Sequence, residues 1–274
     1  MKKNIIILIA SVLLIVSPGC EDLNNPGEIK TKNSLFFNLQ VNSPQQHVYI
    51  YRNPDITGSM EYNAADPYVN FFNKDAEITL KDMLNGQSTS FKLAQDTLDG
   101  SSYYTGYSYS NPYRPYYTNS VALNAKPLRD YFLSVNADGN SITGKVTTPG
   151  DFEIVSPHEG EVVRGQLNLA KFLFRWRSSE NAKGYTVRIN VIEKNFNKPV
   201  WISFVTYDTS KDLQSLSLLM SIFGSGIYTL QVIAFDENYF QHYYNKKEIV
   251  GLNGAYGCFS SSVVKEVRFR YISD

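Results

Sequence analysis

The stretch YFLSVNADGNSITGKV, residues 131–146, determines the predicted fold. Tyr131, Leu133 and Val135 occupy alternate positions, so a β-strand places all three side chains on one face. Turn-forming residues follow at positions 136–140, and the chain then returns through Ile142–Val146. Two segments of this kind, joined by Asn, Asp and Gly residues, predict a β-hairpin with a short loop.

The same alternation continues upstream of this hairpin. Ala76, Ile78 and Leu80 share one face of a strand, and turn-forming clusters separate the neighbouring segments. Short, closely spaced strands indicate a sandwich or barrel, and no helical crossover of the kind a parallel sheet needs is visible. The first module is placed at residues 34–148, with predicted strands at Leu35–Val41, His47–Arg52, Tyr68–Phe72, Ala76–Lys81, Thr89–Leu93, Val121–Leu123, Tyr131–Val135 and Ile142–Val146.

Thr147-Thr148-Pro149-Gly150 interrupts the strand pattern, and we place the domain boundary there. A short helix is expected after Asp208, because leucines follow it at spacings of three and four. The second module is placed at residues 149–274, with predicted strands at Phe152–Val155, Lys171–Arg177, Tyr185–Ile192, Val200–Thr206, Ile227–Phe235 and Val263–Tyr271.

Three segments of the second module resemble a fibronectin type III or related immunoglobulin-like sandwich. They are FRW at 174–176, AKGYTVRI at 182–189 and GIYTLQV at 226–232. In that fold a strand tryptophan fills the core and a later tyrosine forms a corner hydrogen bond. The resemblance implies these structural roles for Trp176 and Tyr228.

The first twenty residues have the pattern of an export signal. Lys2 and Lys3 precede the apolar run Ile5–Val16, whose 12 residues are fewer than the roughly 20 that span a bilayer. One interpretation is a cleaved signal peptide, residues 1–19, followed by a flexible tail. The other is that SPGC at 17–20 resembles a bacterial lipobox, which implies that Cys20 is lipidated and anchors the chain in a membrane.

The chain as a whole resembles an uncharacterised family of Bacteroidota surface lipoproteins, a domain of unknown function. The resemblance rests on the Cys20 signal, on the passage from 131–135 to 147–150, and on GLNGAYGCF at 251–259. It implies an outer-membrane location, on the surface-exposed or periplasmic face. Members of this family tend to be encoded beside TonB-dependent receptors, so such a transporter is one candidate partner and a glycan is the other. The predicted fold is all-β, with two consecutive immunoglobulin-like or transthyretin-like β-sandwich modules. They follow a lipoprotein signal peptide and a short, flexible, lipid-anchored tether at residues 20–33.

The charge balance and the cysteine content of the chain limit the partners and covalent links that we expect. Without residues 1–19 the chain has 24 basic and 26 acidic residues, so its net charge is about −2. Nucleic acid is therefore not expected as a partner, because phosphate binding needs a basic face. Apart from Cys20 the chain has one cysteine, Cys258, which either pairs between chains or is a buried, inert thiol.

The segment 101–119 is unusually rich in tyrosine among Ser, Gly, Asn and Pro. This composition is typical of antibody paratopes, where tyrosine supplies rigid contact area. One interpretation is a loop that contacts a partner protein or a glycan; the other is an irregular loop whose tyrosines pack back onto the sandwich. The candidate binding residues here are Tyr103, Tyr104, Tyr107, Tyr109, Tyr113, Arg114, Tyr116 and Tyr117.

A second aromatic cluster, YFQHYY at 239–244, follows the predicted strand Ile227–Phe235. We expect it in an end loop of the second sandwich, where loops commonly carry recognition. Tyr239 and Tyr243 are the binding candidates in this cluster, and packing against the sandwich is the alternative explanation.

Motifs for catalysis are absent from the sequence. It has no His-Glu-x-x-His zinc motif, no Gly-x-Ser-x-Gly elbow and no phosphate-binding glycine loop, and we expect neither a metal nor a cofactor. Three functions are compared: an accessory lipoprotein, a glycan-binding lipoprotein of a polysaccharide-uptake system, and a hydrolase. A hydrolase would need two carboxylates about 5–10 Å apart in an open cleft.

Overall fold

The computed structural model describes residues 33–52, 72–95, 115–165, 173–191, 200–212 and 224–273. Within these ranges the chain is all-β, with one short helix. The predicted signal peptide, Cys20 and the tether up to residue 32 lie outside them, as do the predicted helical residues 213–223 and most of the predicted strand Tyr68–Phe72. No helix in the described part of the chain is long and apolar enough to span a bilayer.

In the described ranges, seventeen strands and the helix follow one another in chain order. They are β1 Asn33–Val41, β2 His47–Arg52, β3 Glu77–Asp82, β4 Ser88–Gln95, β5 Pro115–Asn119, β6 Asp130–Ala137, β7 Asn140–Thr147, β8 Ile154–Ser156, β9 Val162–Gly165, β10 Leu173–Trp176, β11 Gly184–Val191, β12 Val200–Thr206, β13 Ser210–Asp212, β14 Gly226–Phe235, α1 Glu237–Tyr243, β15 Ile249–Val250, β16 Leu252–Asn253 and β17 Tyr256–Ser273.

One large sheet extends through both modules in the order β12-β11-β14-β17-β1-β2-β5-β4-β3-β6-β7-β16, and β9 and β15 also pair with β17. A separate sheet of three strands has the order β13-β10-β8. The predicted hairpin at residues 131–146 is confirmed, because β6 and β7 pair antiparallel from Asp130↔Thr147 to Ala137↔Asn140.

Strand alternation produces the first core. In β1, Leu35, Phe37 and Leu39 are buried, and the residues between them are half-buried on the opposite face. β3 contributes Ile78 and Leu80 in the same way. Because successive side chains of a strand point to opposite faces, these strands leave a complete second row of side chains facing outward.

The last strand, β17, connects the two cores. Its 18 residues extend about 60 Å at the usual rise per residue. Tyr256–Val263 pairs parallel with β1, whereas Ser262–Tyr271 pairs antiparallel with β14. Phe259 therefore lies in the first core and Phe269 in the second. The division at Pro149 placed this strand in the second module alone and did not anticipate its share of the first core.

The second core lies between the three-stranded sheet and β11, β14 and the end of β17. Trp176 is buried in it, with its ring 5.4 Å from that of Tyr185. The Tyr228 hydroxyl donates a hydrogen bond to the Gly224 carbonyl at 2.7 Å. The structural roles expected for Trp176 and Tyr228 are thus observed, and a two-layer β-sandwich results.

A buried polar network lies where β17 passes from one core to the other. The Asp236 carboxylate accepts hydrogen bonds from the Ser261 N–H and hydroxyl, both at 2.8 Å. The Asn38 amide donates to the Ser262 hydroxyl at 3.0 Å, and the Ser261 hydroxyl also lies 3.3 Å from the Thr147 carbonyl. Since buried polar groups are costly unless they are paired, this network fixes the position of β17 at the joint.

Three local predictions differ from the structure. Val121–Leu123 forms no strand: the Asn119 amide donates to the Val121 carbonyl at 2.7 Å, which turns the chain directly after β5. The end of the predicted irregular loop is β5, which pairs with β2 and β4. The cluster at 239–244 was predicted as a loop, but most of it lies in α1, because Asp236 caps this helix by accepting from the Tyr239 N–H at 2.8 Å.

Candidate binding surface

Aromatic rings cover the outward face of the sheet in the first module. Phe36 in β1 and Tyr49 in β2 are direct cross-strand partners, and both are half-buried on the side away from the core. Tyr116 extends the row on β5. We name this surface the aromatic band; its members are Phe36, His47, Tyr49, Tyr51, Tyr116, His242 and Tyr243.

Ring contacts join the members of the band into two groups, which meet at the cross-strand pair Phe36↔Tyr49: one group is His47, Tyr49 and Tyr116, and the other is Phe36, Tyr51, His242 and Tyr243. The Tyr116 ring lies 4.3 Å from that of His47 and 6.3 Å from that of Tyr49, measured between centroids. On the other side of the row, the Phe36 ring lies 6.4 Å from that of Tyr51. The interplanar angles of these three pairs are 40°, 49° and 59°, so the rings are tilted against one another rather than coplanar.

α1 adds the last two members of the band. The His242 ring lies 5.7 Å from that of Phe36 and 4.8 Å from that of Tyr243. The helix is held on β17, because the Asn238 amide donates to the Phe259 carbonyl at 2.9 Å. The band therefore crosses from β5 over β2 and β1 to α1, so the β1–β2 hairpin, β5 and α1, which are distant from one another in sequence, form one surface.

The residues predicted from sequence to bind a partner do not all lie on the aromatic band. Tyr103, Tyr104, Tyr107, Tyr109, Tyr113 and Arg114 lie outside the described residues. Tyr116 and Tyr243 belong to the band, and Tyr243 is 39% exposed. Tyr239 stacks on Phe235 at 5.0 Å, and its ring is tilted against that of Tyr243 at 4.4 Å, so it packs between β14 and the helix surface.

Tyr117 lies in the core, although the sequence analysis assigned it to binding together with its neighbour Tyr116. Its side chain is 2% exposed and lies in the first core. Its hydroxyl accepts from the Ala76 N–H at 2.9 Å and donates to the Asn73 carbonyl at 3.0 Å. Because adjacent residues of a strand face opposite sides, Tyr116 faces outward and Tyr117 is inaccessible to a ligand.

Sequence reasoning missed Phe36, His47, Tyr49, Tyr51 and His242. A signal for two of them was present, since Tyr49 and Tyr51 alternate with Val48 and Ile50 in a predicted strand. Aromatic residues at alternate positions opposite an apolar core face indicate an outward aromatic row. What local patterns did not reveal was that β5 lies beside β2, because this pairing joins residues about 70 positions apart, such as His47 and Thr118.

The strand part of the surface around the rings carries little charge. Pairing aligns Lys92 of β4, Thr118 of β5 and His47 of β2 across the sheet. The remaining outward-facing residues described on β1, β2, β4 and β5 are Ser34, Phe36, Asn38, Gln40, Tyr49, Tyr51, Ser88, Ser90, Ala94 and Tyr116. The α1 end of the band is charged, because α1 and the residues after it contain Glu237, Lys246, Lys247 and Glu248.

Cys258 lies beneath α1, as a buried thiol. Its sulfur approaches the Asn238 carbonyl at 3.6 Å. Burial raises the pKa of this thiol to about 12, and the nearby Asp236 contributes in the same direction. The expected buried cysteine is confirmed, and its thiol stays protonated at neutral pH.

A separate polar cavity of about 380 Å³ lies at one end of the first module. It is formed by the β3–β4 hairpin and residues 120–131. Its single carboxylate, Asp82, accepts from the Arg129 guanidinium at 2.7 Å, and its pKa is lowered by the Leu84 N–H and by Arg129 despite burial. This cavity does not contain the pair of carboxylates that glycoside hydrolysis requires. Within the described ranges, no three His, Cys, Asp or Glu side chains are grouped so that they could hold a metal ion.

Comparisons with known proteins add little to this description. No model of a protein family and no curated protein matches the sequence. Among solved structures, the chain is similar to the FN1–FN3 domains of chicken CNTN1, with 13% sequence identity and a TM-score of 0.26. The match covers 86% of this chain and 66% of that one, so the chain spans about two thirds of the length of that structure.

Proposed function

We propose that the protein is a non-catalytic binding protein, anchored by lipid to the outer membrane on its surface-exposed or periplasmic face. The observation that carries this proposal is the aromatic band, in which partly exposed rings from four elements form one face. Contiguous apolar patches that stay partly exposed mark interaction sites, and tyrosine is enriched at the energetic centres of such sites. Its tilted rings combine apolar contact area with the polar tips of tyrosine and histidine.

The anchor is supported by the sequence. Lys2 and Lys3 and then the apolar run Ile5–Val16 precede Cys20, and the segment that follows this cysteine is mostly polar. Two or more acyl chains on this cysteine would hold the protein stably at a membrane, because each buried methylene contributes about 0.8 kcal/mol. The resemblance to Bacteroidota surface lipoproteins indicates the outer membrane.

The non-catalytic assignment is supported by the chemistry of two groups. The Cys258 thiol is buried and its pKa is raised to about 12, so it is a poor nucleophile. The carboxylate of the polar cavity, Asp82, is engaged by Arg129. Both groups therefore have structural roles.

The partner follows from two arguments. The family resemblance favours an outer-membrane transporter of the TonB-dependent type, which the protein would assist as an accessory module. The row of partly exposed rings and the hydroxyl and amide residues beside it on the strands favour a glycan. Both partners would use the aromatic band, so one set of variants tests the proposal.

Removing two rings of the band is expected to release the partner without unfolding the chain. The double variant Tyr49→Leu/Tyr116→Leu keeps apolar bulk but lacks the flat rings. We expect tagged protein purified from solubilised outer membranes to bind its co-purifying partner roughly thirtyfold more weakly, as stacking energies near 1 kcal/mol for each of the two rings imply.

The control is Phe132→Leu. Phe132 is 36% exposed on β6 and faces outward on a different part of the sheet. This variant should retain the partner, and thermal melts should be similar for all three proteins. Recovery of the same partner with the double variant would contradict the proposal.

A further inference from the structure

We propose that the polar cavity at the end of the first module binds a small hydroxylated carboxylate, a sugar acid. Its volume of about 380 Å³ is within the usual range of small-molecule sites. None of the residues that line it belongs to the aromatic band, so this site is separate from the surface on which the proposed function rests. Three observations support the ligand: the position of the cavity, its hydrogen-bond donors and its charge.

The cavity lies where the interior of the first sandwich reaches the end of its strands. Leu80 and Asp82 are successive inward-facing residues of β3, and Tyr131 of β6 is the direct cross-strand partner of Asp82. Leu80 and Tyr131 are buried in the first core, whereas Asp82 brings a carboxylate to the next inward position. The segment after β5 completes the lining and contributes the apolar residues Val121 and Leu123. A ligand here therefore contacts both apolar and polar groups.

The lining presents hydrogen-bond donors that the protein does not use. The Arg129 side chain is 27% exposed, and its Nη1 donates to the Asp82 carboxylate at 2.7 Å. Its Nε and Nη2 have no acceptor among the described residues. The Asn85 side-chain oxygen already accepts from the Gln87 N–H at 2.8 Å, which leaves the amide NH₂ available to a ligand. A carboxylate supplies the missing acceptors, because its two oxygens match the guanidinium fork.

The charge of the lining matches a ligand with one negative charge. Apart from the buried Tyr131, its ionisable side chains are Asp82, Lys126 and Arg129. Burial opposes ionisation of Asp82, but hydrogen bonds from the Leu84 N–H and Arg129 outweigh it and lower the pKa of this carboxyl group. Asp82 is therefore ionised at neutral pH and balances Arg129. The ammonium group of Lys126 then leaves the lining with one excess positive charge.

The charged residues next to this lining in sequence do not reverse that balance. Lys81 faces outward on β3 and adds positive charge outside the cavity. Asp130 is paired with Lys145 at 2.8 Å. A phosphate monoester carries about −1.5 to −2 at neutral pH, which exceeds the charge of the cavity, whereas a sugar acid carries a single negative charge.

Hydroxyl groups of the lining suit the remaining part of a sugar acid. Ser88, Ser90 and Ser120 all line the cavity, and a serine hydroxyl both donates and accepts hydrogen bonds. The hydroxyl groups of a sugar have the same double capacity. Its C–H groups can pack on Val121 and Leu123, so each chemical part of the ligand has a counterpart in the lining.

The test titrates small ligands calorimetrically into the mature chain, residues 20–274, with Cys20→Ser so that it carries no acyl group. The probes are glucuronate, galacturonate and gluconate, with glucose and galactose as neutral counterparts and glucose 6-phosphate as the more highly charged one. We expect a sugar acid to bind with a Kd on the order of 1 mM or below. The neutral sugars should bind at least about tenfold more weakly, because they lack the charged acceptor.

Two variants connect this binding to the cavity. Lys126→Gln removes an exposed ammonium group, and Asp82→Asn/Arg129→Gln removes both members of the ion pair, so that neither charge is left unpaired. Each is expected to weaken the sugar acid at least about tenfold. The matched control is Lys81→Gln, which loses the same charge outside the lining and should bind like wild type. Because Lys126 is exposed, its variant decides the test even if the double variant does not fold.

Four results would overturn the inference: no binding of any of the three sugar acids, equal binding of the neutral sugars, tighter binding of glucose 6-phosphate, or equal affinity of Lys126→Gln and wild type. The variant Tyr49→Leu/Tyr116→Leu separates this site from the aromatic band. We expect it to bind the sugar acid like wild type, whether or not the proposed function of the band holds. Loss of sugar-acid binding in that variant would place the ligand on the band and contradict the inference.

Discussion

Replacing Gly257 by alanine is expected to lower the free energy of unfolding by roughly 3 to 5 kcal/mol. Gly257 has a φ of +104°, and a Cβ atom at this position would lie 2.1 Å from the Leu35 carbonyl oxygen. It is also the direct partner of Leu35 in the parallel pairing of β1 with β17. The added methyl group must therefore push the two strands apart where β17 enters the first core.

The matched control is Gly139→Ala. Gly139 also has a positive φ, +72°, but no atom lies within 4 Å of the Cβ that would be added. This variant carries backbone strain without a clash, and we expect a loss of about 1 kcal/mol. Urea denaturation of both variants measures the difference. If both variants lose the same free energy of unfolding, the close approach of Gly257 to Leu35 adds nothing to the destabilisation.

The second large effect is a fall in stability as the pH rises, caused by Asp236. Burial raises the pKa of this carboxyl group to about 7, although the Tyr239 N–H and Ser261 donate hydrogen bonds that favour the carboxylate. A carboxyl group whose folded pKa exceeds its unfolded value of 3.8 binds more protons in the folded state. Its stabilising contribution is complete below about pH 4 and is lost as the pH rises through 7, by roughly 1.4 kcal/mol for each pH unit.

The measurement compares wild type with Asp236→Asn, which keeps an acceptor for the helix cap but does not titrate. Urea denaturation at pH 5 and pH 8 gives the free energy of unfolding of both proteins. Because all other titrating groups are common to both, their difference isolates Asp236. We expect the stability of wild type relative to the variant to fall between pH 5 and pH 8. A constant or rising difference would show that the carboxyl group is already ionised at pH 5.

Local patterns were sufficient to predict most strands of the first module. In β1 and in the β6–β7 hairpin, most residues at alternate positions are apolar, and burial on one face follows directly from this alternation. Trp176 and Tyr228 were also placed correctly, because a known sandwich pattern surrounds them.

Long-range pairing was not predictable in the same way. β17 is continuous because its first half finds a partner in β1, more than 200 residues away along the chain: Asn38 and Ser262 are 224 positions apart. Nothing near Tyr256 in sequence specifies that partner. α1 was missed for a different reason, since its dense aromatic residues concealed the capping signal of Asp236 followed by Glu237.

The aromatic band was not predicted, because both long-range strand pairing and the position of α1 are needed to assemble it. Its separate rings belong to strands that local alternation predicts, but their assembly depends on which strands are neighbours. Tyr116 and Tyr117 illustrate the limit: composition treats them alike, whereas one faces outward and the other is in the core. Assigning either residue to binding required the register of β5.

The account as a whole depends on the chain being held at the outer membrane through Cys20. Membrane fractionation of cells that express wild type, Cys20→Ser and Cys258→Ser tests this most directly. We predict that wild type and Cys258→Ser are recovered with the outer membrane, and that Cys20→Ser is recovered in the soluble fraction. Recovery of Cys20→Ser with the outer membrane, or of wild type in the cytosol, would contradict the account.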